Sequence, residues 1–333
     1  MTIGTPKARA RAVLPLIGSA PGERERGSTG ISRVSRMRLF VLRLENGSTM
    51  AYEIDRTGEV ASALVSALPH ADAPAGDWIG LTVGERTVAW SDRDPILFAL
   101  AVGARPDEID LVFEERLRVL PGFALTLAQW APDVLGAAGA WDTRTALHGA
   151  QALTVLKPLP ASGEITMTAR VTGVWDKGAA AVYDLAVESE HFVATWSLFA
   201  PGRGGFGGDR GPGRVSPPDD APAWSTELAT ADNAALIYRL LGDRHHIHVD
   251  PAAAAAIDQP RPILHGLATL SAATLVAARE TGAHPADLTQ LEGRFAAPVF
   301  PGEPLTVRGW ADGGLDVVTE RGPAITAARA VFG

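Results

Sequence analysis

The chain of 333 residues contains no cysteine, and aromatic residues make up only 6% of it. Without cysteine, disulfides, thiolate metal sites and a cysteine nucleophile are all excluded. Basic residues are in the minority, since 30 Lys and Arg stand against 38 Asp and Glu for a formal net charge of −8. No basic stripe with interleaved aromatics is present, so we expect no nucleic-acid partner.

Long hydrophobic runs are also lacking. The longest, from Ile263 to Ala278, contains His265 and stops at Arg279, so it is too short and too polar at its ends to span a membrane. The basic N-terminal residues include no apolar segment before a small-residue cleavage site, which indicates no signal peptide. We therefore expect a cytoplasmic protein without a membrane partner.

Residues 1–76 are expected to form an N-terminal extension. Residues 1–36 show no apolar periodicity and are predicted to be disordered. An Asn-Gly pair at 46–47 stands between two apolar runs, which predicts a β-hairpin over residues 38–55. The composition then changes, and a first domain is predicted over 77–200.

Helices and strands follow from the same kind of pattern. In the first domain, Ser91 and Asp94 mark a helix start. In the second domain, predicted over 223–333 after a Gly- and Pro-rich linker at 201–222, one helix stops at Gly242, another starts at Asp250-Pro251, and the run 264–278 is apolar enough to be a buried helix. Six runs rich in Val, Leu and Thr are predicted strands: 165–174, 180–187, 192–199, 305–310, 315–319 and 325–331.

A weak repeat suggests that the two domains are related. Leu-His-Gly occurs at 147–149 and at 264–266, and each copy is followed by a Pro-rich stretch that ends in Gly-Glu before a strand. The offset of 117 residues predicts a duplicated unit of that size. A buried helix with an antiparallel sheet in each unit is an α+β architecture.

A glycine-rich stretch, Gly202 to Gly207, formally matches the G-x-G-x-x-G pattern of nucleotide-binding loops. The residues that follow, Gly-Asp-Arg-Gly-Pro, cannot open a helix, so the context argues against a nucleotide site.

The densest group of titratable residues lies between Tyr238 and Leu267, where four of the eight histidines occur. Asp243 and His248 are five residues apart, and Gly242 ends the preceding helix, so the following loop can fold the imidazole back beside the carboxylate. Such a pair can hold and deprotonate a water molecule. The alternative is that Asp243 caps a helix and His248 packs in the core.

The buried helix adds a second feature. Its start near Gly266 leaves the first N–H groups without internal partners, and glycine allows a ligand to approach closely. This suits an oxyanion hole for a thioester carbonyl. The triple His245-His246-x-His248 raises the possibility of a metal site, but adjacent histidines diverge and no second ligand cluster is evident, so we expect no metal.

The stretches from Tyr238 to Pro251 and from Arg261 to Leu267 closely resemble the hydratase motif of the MaoC-like (R)-specific 2-enoyl-CoA hydratases. The double-hot-dog type, similar to the hydratase domain of the peroxisomal multifunctional enzyme, fits best, and the resemblance extends from about Trp78 to the C-terminus. It implies two tandem hot-dog folds, each a sheet wrapped around a long helix, in a pseudo-dimeric unit.

The resemblance also implies a reaction and its residues. Water would add reversibly to a trans-2-enoyl-CoA to give the (R)-3-hydroxyacyl-CoA, a step of fatty acid β-oxidation, with no cofactor. The N-terminal half would contribute a tunnel for the acyl chain. By this resemblance, Asp243 and His248 would hold and activate the water, and the Gly266 N–H would polarise the thioester carbonyl. His148, Gly149 and Lys177 would contact the CoA thioester or its pantetheine and phosphates, and Phe295 would line the substrate site.

Several positions depart from the family pattern. Leu241 replaces a Ser, and His245-His246 replace Asn-Pro; His245 and His265 are added to the candidate substrate-binding residues. A histidine at 245 is expected to change how the water or the carboxylate is held. It is also expected to make the activity more sensitive to pH in the usual titration range of histidine. Ala253, Asp258 and Gln259 stand where the family tends to have Phe, Gly and Phe, which predicts an enlarged or wetter acyl pocket.

Two alternatives to the hydratase stay open, and a third is disfavoured. The first is a dehydratase that acts on 3-hydroxyacyl groups, either bound to a carrier protein or unusually bulky. The second is a non-catalytic hot-dog subunit that binds acyl-CoA and a partner hydratase. A hot-dog thioesterase is disfavoured by the intact Asp-x4-His and Leu-His-Gly pairing. Because hot-dog units often pair, we also expect a homodimer.

Overall fold

A computed structural model of the protein describes residues 38–43, 49–54, 68–213 and 220–333. Strands β1 (Arg38–Arg43) and β2 (Thr49–Ile54) pair antiparallel in the region of the predicted hairpin. The Asn-Gly turn between them and the predicted disorder of residues 1–36 both lie outside the described residues.

The helices are α1 (Arg93–Ala101), α2 (Ile109–Val112), α3 (Phe123–Ala128), α4 (Trp130–Ala137), α5 (Ala234–Tyr238), α6 (Pro251–Ala255) and α7 (Gly266–Thr281). The strands are β3 (Thr82–Trp90), β4 (Leu147–Val155), β5 (Gly163–Asp176), β6 (Ala180–Glu188), β7 (Phe192–Pro201), β8 (Trp224–Ala229), β9 (Leu288–Phe295), β10 (Pro304–Gly309), β11 (Gly314–Thr319) and β12 (Gly322–Phe332). In this part of the described chain, strand β3 and helices α1 to α4 precede strands β4 to β8, and helices α5 to α7 precede strands β9 to β12.

Strands β3 to β12 form a single antiparallel sheet in the order β3-β5-β6-β7-β4-β9-β12-β11-β10-β8. From each edge to the middle, the order follows the same plan, so β3 corresponds to β8, β5 to β10, β6 to β11, β7 to β12 and β4 to β9. The two halves meet where β4 pairs with β9, with Ala152 opposite Glu292. The molecule is therefore built from two related halves joined edge to edge.

The true spacing of the two halves is about 141 residues, so the predicted offset of 117 is wrong. Strands β4 and β9 begin at positions 147 and 288, and strands β5 and β10 begin at 163 and 304. The first Leu-His-Gly starts a strand, whereas the second leads into helix α7. The three-residue match is a coincidence of sequence, because equivalent residues would lie in equivalent elements.

Each half encloses a helix against its part of the sheet. In the second half this is α7, in which every residue from Leu267 to Ala278 is buried. In the first half it is the pair α3 and α4, which the sequence did not reveal, with Gln129 at the junction. Pro132 explains the interruption, because it has no N–H for the carbonyl four residues earlier. In the part of the chain that is described, no helix combines the length and apolar character that crossing a membrane requires.

The glycine-rich stretch after β7 folds back onto the turn between β5 and β6. The backbone N–H groups of Gly205 and Gly207 donate to the carboxylate of Asp176 at 2.9 and 2.8 Å, and Gly178 donates to it at 2.8 Å. These bonds, that of Gly205 first, lower the pKa of Asp176. The N–H groups that a nucleotide loop would offer to phosphate are thus engaged by a side chain of the protein itself.

Candidate active site

The loop that carries Asp243 and His248 follows helix α5 directly. A 3₁₀ turn, Arg239–Leu241, ends at Gly242, whose φ of +140° is available to glycine and strained for any other residue. The chain then reverses, and the carboxylate of Asp243 accepts the N–H of His245 at 3.1 Å. A second 3₁₀ turn, His246–His248, returns the third histidine toward Asp243. The helix stop predicted at Gly242 therefore brings the two ends of Asp-x4-His together.

Asp243 and His248 face one another as two acceptors. The Nδ1–H of His248 donates to the carbonyl of Ile263 at 2.9 Å, which leaves Nε2 with its lone pair directed at Asp243, 3.9 Å from Oδ2. Burial lowers the pKa of His248 below its usual range, so the ring is neutral at pH 7. A separation of 3.9 Å is too long for a direct hydrogen bond. It suits one water molecule that donates its two hydrogens, one to each acceptor.

His265 supports this pair from behind. Its ring stacks on His248 with centroids 3.6 Å apart, and Nε2 lies 3.2 Å from the carbonyl oxygen of Asp243. Burial, reinforced by the neighbouring His248, lowers the pKa of His265 to about 3. The ring of Tyr238 packs on its other side at 4.8 Å. His265 thus contacts both Asp243 and His248, and its neutral imidazole stacks on that of His248.

Asp243, His248 and His265 also come close enough to raise the question of a metal ion, with ligand atoms within 4.8 Å of one another. The imidazoles of His248 and His265 are nearly parallel, at 21°, and 3.6 Å apart. Lone pairs lie in the ring planes, so those of stacked rings run side by side and do not converge on an ion about 2.1 Å from both nitrogens. The arrangement fits a water molecule better than a metal.

Gly266 begins helix α7 in a very confined position. A Cβ atom there would lie 2.8 Å from two ring carbons of Phe295, so no larger residue fits without displacing that ring. The first N–H to bond back along the chain is that of Thr269, to the carbonyl of His265 at 3.1 Å. The N–H of Gly266 precedes that bond and stands at the positive end of a 16-residue helix. The oxyanion-hole role expected for this N–H stays a prediction.

The first half contributes His148 and Gly149 to the same region. They lie at the start of β4, and the ring of His148 is 4.7 Å from that of Phe295. The Nε2 of His148 lies 3.0 Å from the carbonyl of Ala150. Burial lowers the pKa of His148 to about 4, against the opposing charge of Asp243. The imidazole is therefore neutral at pH 7, and the residues predicted in the two halves meet across the junction.

Two predicted residues occupy less central places. His245 is exposed, its ring is 6.3 Å from that of His248, and its Nδ1 accepts the N–H of Ile247 at 3.4 Å. Lys177 lies in the turn between β5 and β6, where its ammonium group donates to the carbonyls of Arg210 and Pro212. Lys177 is thus at the same end of the sheet as His148 but separated from β4 by β7 and β6.

Asp133 on α4 is a polar residue that the sequence reading missed. The residue is exposed, yet desolvation by the protein around it raises its pKa to about 6, and the charge of Asp243 adds to the rise. The signal was present in the sequence, because Asp133 is the sole charged residue between Val119 and Trp141. A lone carboxylate in an apolar helix is expensive to enclose and marks a candidate site.

A groove of about 910 Å³ runs along the sheet where β4 meets β9. Gly149 and Phe295 line it, which connects the groove to the residues around Gly266. Its lining residues include Ser197, Arg294 and Arg329, and neither arginine forms an ion pair with another described residue. Free guanidinium groups in a groove suit a phosphate-bearing ligand.

Two family descriptions match the chain in succession. Residues 89–198 match the MFE-2 hydratase 2 N-terminal domain, and residues 214–327 match the MaoC like domain. Among curated proteins, the enoyl-CoA hydratase ChsH3 of Mycobacterium tuberculosis is 36% identical over 68% of this chain and 85% of its own length. The 3-hydroxyacyl-thioester dehydratase Y of the same organism is 34% identical over 70% of this chain and 86% of its own.

A solved structure agrees with these matches. Full-length peroxisomal multifunctional enzyme type 2 from Drosophila melanogaster superposes with a TM-score of 0.65 at 27% identity, over 75% of this chain and 48% of that one. Two related half-sheets that each enclose a helix form a double hot-dog protein, which confirms the predicted α+β class with two tandem hot-dog units. The chain belongs to the MaoC-like hydratase family, with the two-domain organisation of the hydratase 2 type.

Proposed function

We propose that the protein is an (R)-specific 2-enoyl-CoA hydratase, which adds water reversibly to trans-2-enoyl-CoA to give (R)-3-hydroxyacyl-CoA. The observation that carries the proposal is the pair of acceptors, Asp243 Oδ2 and His248 Nε2, 3.9 Å apart beside the free N–H end of helix α7. The names of the hydratase and dehydratase relatives point to the same chemistry.

In this mechanism the pair acts on one water molecule. As the water oxygen attacks C3 of the enoyl group, the pair takes one of its protons and returns a proton to C2 on the same face, which gives syn addition and restores the starting protonation. Neutral His248 accepts a proton readily because its Nδ1–H is held by Ile263. The Gly266 N–H stabilises the enolate oxygen that develops on the thioester, an effect worth about 3 kcal/mol for one such donor.

The remaining assignments belong to the same proposal. The groove at the β4–β9 junction takes the CoA portion of the substrate, with His148, Gly149, Lys177 and Phe295 in the roles expected for them. His265 holds His248 in place, and His245 shapes the loop around Asp243. A cytoplasmic location and a homodimer stay predictions, which cell fractionation and light scattering of the purified protein would test.

The first prediction concerns the catalytic pair. Purified protein is expected to consume crotonyl-CoA, seen as loss of the conjugated-enoyl absorbance, and to yield the (R)-alcohol. Asp243→Asn and His248→Ala are each expected to lower kcat by a factor of roughly 10² to 10⁴, because each removes one of two proton acceptors. His246→Gln, an exposed residue of the same loop, serves as the control.

Three other results of these assays would contradict the proposed function or favour one of the alternatives. Turnover that survives in both variants would remove the pair from the mechanism. No turnover by the wild-type protein, together with co-purification of a second hot-dog chain, would favour the non-catalytic subunit. Faster dehydration of a carrier-protein 3-hydroxyacyl group than of its CoA ester would favour the dehydratase, the activity named for one relative.

A further inference from the structure

Strand β12, which pairs with β9 beside the junction of the two halves, contains a β-bulge. Thr326 of β12 lies opposite Arg294 of β9. Three residues farther along β12, Arg329 lies opposite Glu292, which is only two residues from Arg294. One residue of β12 is therefore extra, and Ala327 in this interval has a φ of +47°, which is uncommon for a residue with a side chain.

The bulge decides on which face of the sheet Arg329 lies. Side chains alternate between the two faces of a regular strand, so a residue three positions after Thr326 would lie on the opposite face. With one residue inserted, Thr326 and Arg329 instead line the same groove, together with Arg294. A backbone conformation that is costly for an alanine persists where the rest of the structure imposes it, often at a functional site. The strained Ala327 thus places a guanidinium group in the groove.

Arg294 and Arg329 are diagonal neighbours on the outer face of the sheet. In β9, exposed Glu292 and Arg294 lie on either side of buried Gly293. A Cβ on Gly293 would lie 3.0 Å from Leu270 of α7, so the exposed pair faces away from that helix. Residues of paired strands that are offset by two positions lie about 7–8 Å apart. Two arginine side chains at this spacing can bind one anion between them.

The other charged groups of the groove leave these two arginines available. Arg308 Nε donates to Asp316 Oδ1 at 2.8 Å, so this pair is engaged within itself. The carboxylate of Asp312 accepts the backbone N–H two residues farther along, at 2.9 Å. Glu292 lies opposite Arg329 in the sheet, but the two form no ion pair in the part of the chain that the structure describes. The N–H groups of both free guanidinium groups therefore remain for a ligand.

The two arginines lie at a definite distance from the proposed thioester site. Phe295, whose ring confines Gly266, is the last residue of β9, so a ligand can pass around this strand end to the outer face. From Phe295 to Glu292, the residue opposite Arg329, the strand rises about 10 Å. A pantetheine arm has about thirteen bonds between its sulfur and its phosphate, comparable to four residues of extended chain, and spans roughly 14 Å. The phosphate of a thioester held at Gly266 therefore reaches the arginines.

We propose that Arg329, placed by the bulge at Ala327, and Arg294 together bind the phosphate at the end of the pantetheine arm of the substrate. The proposal rests on the hydratase function, which fixes the thioester at Gly266. It assigns two specificity-determining residues and a class of substrate, thioesters whose pantetheine carries a phosphate. This phosphate is common to CoA and to the prosthetic arm of carrier proteins, and the substrates of the test distinguish the two.

The test compares the crotonyl thioesters of CoA, of phosphopantetheine and of pantetheine, which lacks the phosphate. In the wild type, KM for the pantetheine ester is expected to exceed KM for the phosphopantetheine ester by about tenfold or more, because hydrogen bonds between charged groups are strong. Arg329→Gln is expected to bring this ratio close to one by raising KM for the phosphopantetheine ester, with little change in kcat. Arg329→Lys, which retains the charge but not the planar guanidinium, is expected to keep part of the ratio.

Two control variants are expected to keep the wild-type ratio. Arg93→Gln removes an exposed arginine at the start of α1, away from the groove. Ala327→Gly retains the positive φ without strain and so preserves the bulge. A lower KM for the CoA ester than for the phosphopantetheine ester would identify CoA as the source of the phosphate. Equal values would show that recognition ends at the phosphate, as it does on a carrier protein.

A wild-type ratio near one, or an Arg329→Gln variant with the wild-type ratio, would overturn the proposal. The same assays separate this failure from a failure of the hydratase function. If the wild type hydrates any of the three esters, the function stands and such a failure concerns the phosphate site alone. If it hydrates none of them, the function falls and the proposal falls with it.

Discussion

At the scale of single residues, the site is built from groups that are held neutral. His248, His265 and His148 are all enclosed, and burial lowers the pKa of each. Neutral imidazoles can stack at 3.6 Å, whereas two charged ones would repel. After desolvation, the charge of Asp243 is the next largest cause of the raised pKa of Asp133.

The second prediction follows from the close contact at the start of α7. Gly266→Ala places a methyl group 2.8 Å from the Phe295 ring, which is expected to cost about 1–3 kcal/mol of stability by overpacking. Displacement of the N–H from the thioester oxygen is expected to lower kcat by roughly tenfold or more. Thermal unfolding and steady-state kinetics measure the two effects.

A double variant checks the cause. Phe295→Leu in the Gly266→Ala background is expected to recover part of the lost stability, because a smaller side chain leaves room for the methyl group. If the Gly266→Ala variant has the stability and the kcat of the wild type, Gly266 is not in a confined position.

The third prediction concerns pH. The folded pKa of His265, about 3, lies below the 6.5 of an unfolded chain. The unfolded state therefore binds more protons as the pH falls below about 6.5, and the stabilisation that is present above this value is progressively lost. His148, with a folded pKa of about 4, acts in the same direction. The free energy of unfolding is expected to fall by about 1 kcal/mol or more between pH 6.5 and 4.5.

Urea denaturation across this range, with variants, isolates the contribution of one ring. His265→Phe is expected to show a shallower loss of stability than the wild type, since the titrating group is gone. His246→Gln, exposed on the same loop, is expected to follow the wild-type slope. Asp133, whose pKa is raised, contributes with the opposite sign, but it is present in all three proteins and cancels. Equal slopes for all three would remove His265 as the source.

At the scale of elements, sequence patterns found the strands of the sheet best where polar and apolar residues alternate. The predicted strands at 165–174, 192–199 and 305–310 correspond to β5, β7 and β10. The glycine-poor, apolar helix α7 was also evident. Strands β3, β4, β8 and β9 and the helices α3 and α4 were missed. Pro132 and Gln129 break the helical pattern, and β4, which includes Gly149 and several alanines, shows too little alternation of polar and apolar residues.

The Leu-His-Gly motif shows how a short match misleads at this scale. The same three residues start a strand at Leu147 and precede a helix at Leu264. Tertiary packing decides between the two outcomes, since the first copy pairs with β7 and the second packs under Phe295. Local propensity is a weak guide where such contacts compete.

At the scale of the whole molecule, the two halves share one order of elements but contribute different residues to the candidate site. Helices α1 and α5 are equivalent, and each is followed by a glycine in a positive-φ conformation, Gly103 and Gly242. After Gly242 comes Asp243, and after Gly103 comes Ala104. Only the second half therefore carries the pair Asp243 and His248, while the first half supplies His148.

The fourth prediction in this set tests the junction of the halves. Ala152 lies in the middle of β4, opposite Thr195 on one side and Glu292 on the other. Ala152→Pro removes a backbone donor from a central strand, where proline is essentially not tolerated, and a loss of about 3 kcal/mol or more is expected. Ala152→Val keeps the N–H and is the control, and melting curves that coincide for the two variants would contradict this account.

The sequence by itself determined the second half of the site. Asp243, Gly242 and His248 lie within one short loop, and a glycine that ends a helix is enough to bring the other two together, because the contact is local. It also determined the α+β class, through the alternation in the strands and the apolar run of α7. Only the tertiary structure decided that His148, at the start of β4, meets Phe295, that His265 stacks on His248, and that the charge of Asp243 reaches Asp133. These residues are far apart in the chain, and their meeting depends on how ten strands order themselves into one sheet, which no local pattern encodes.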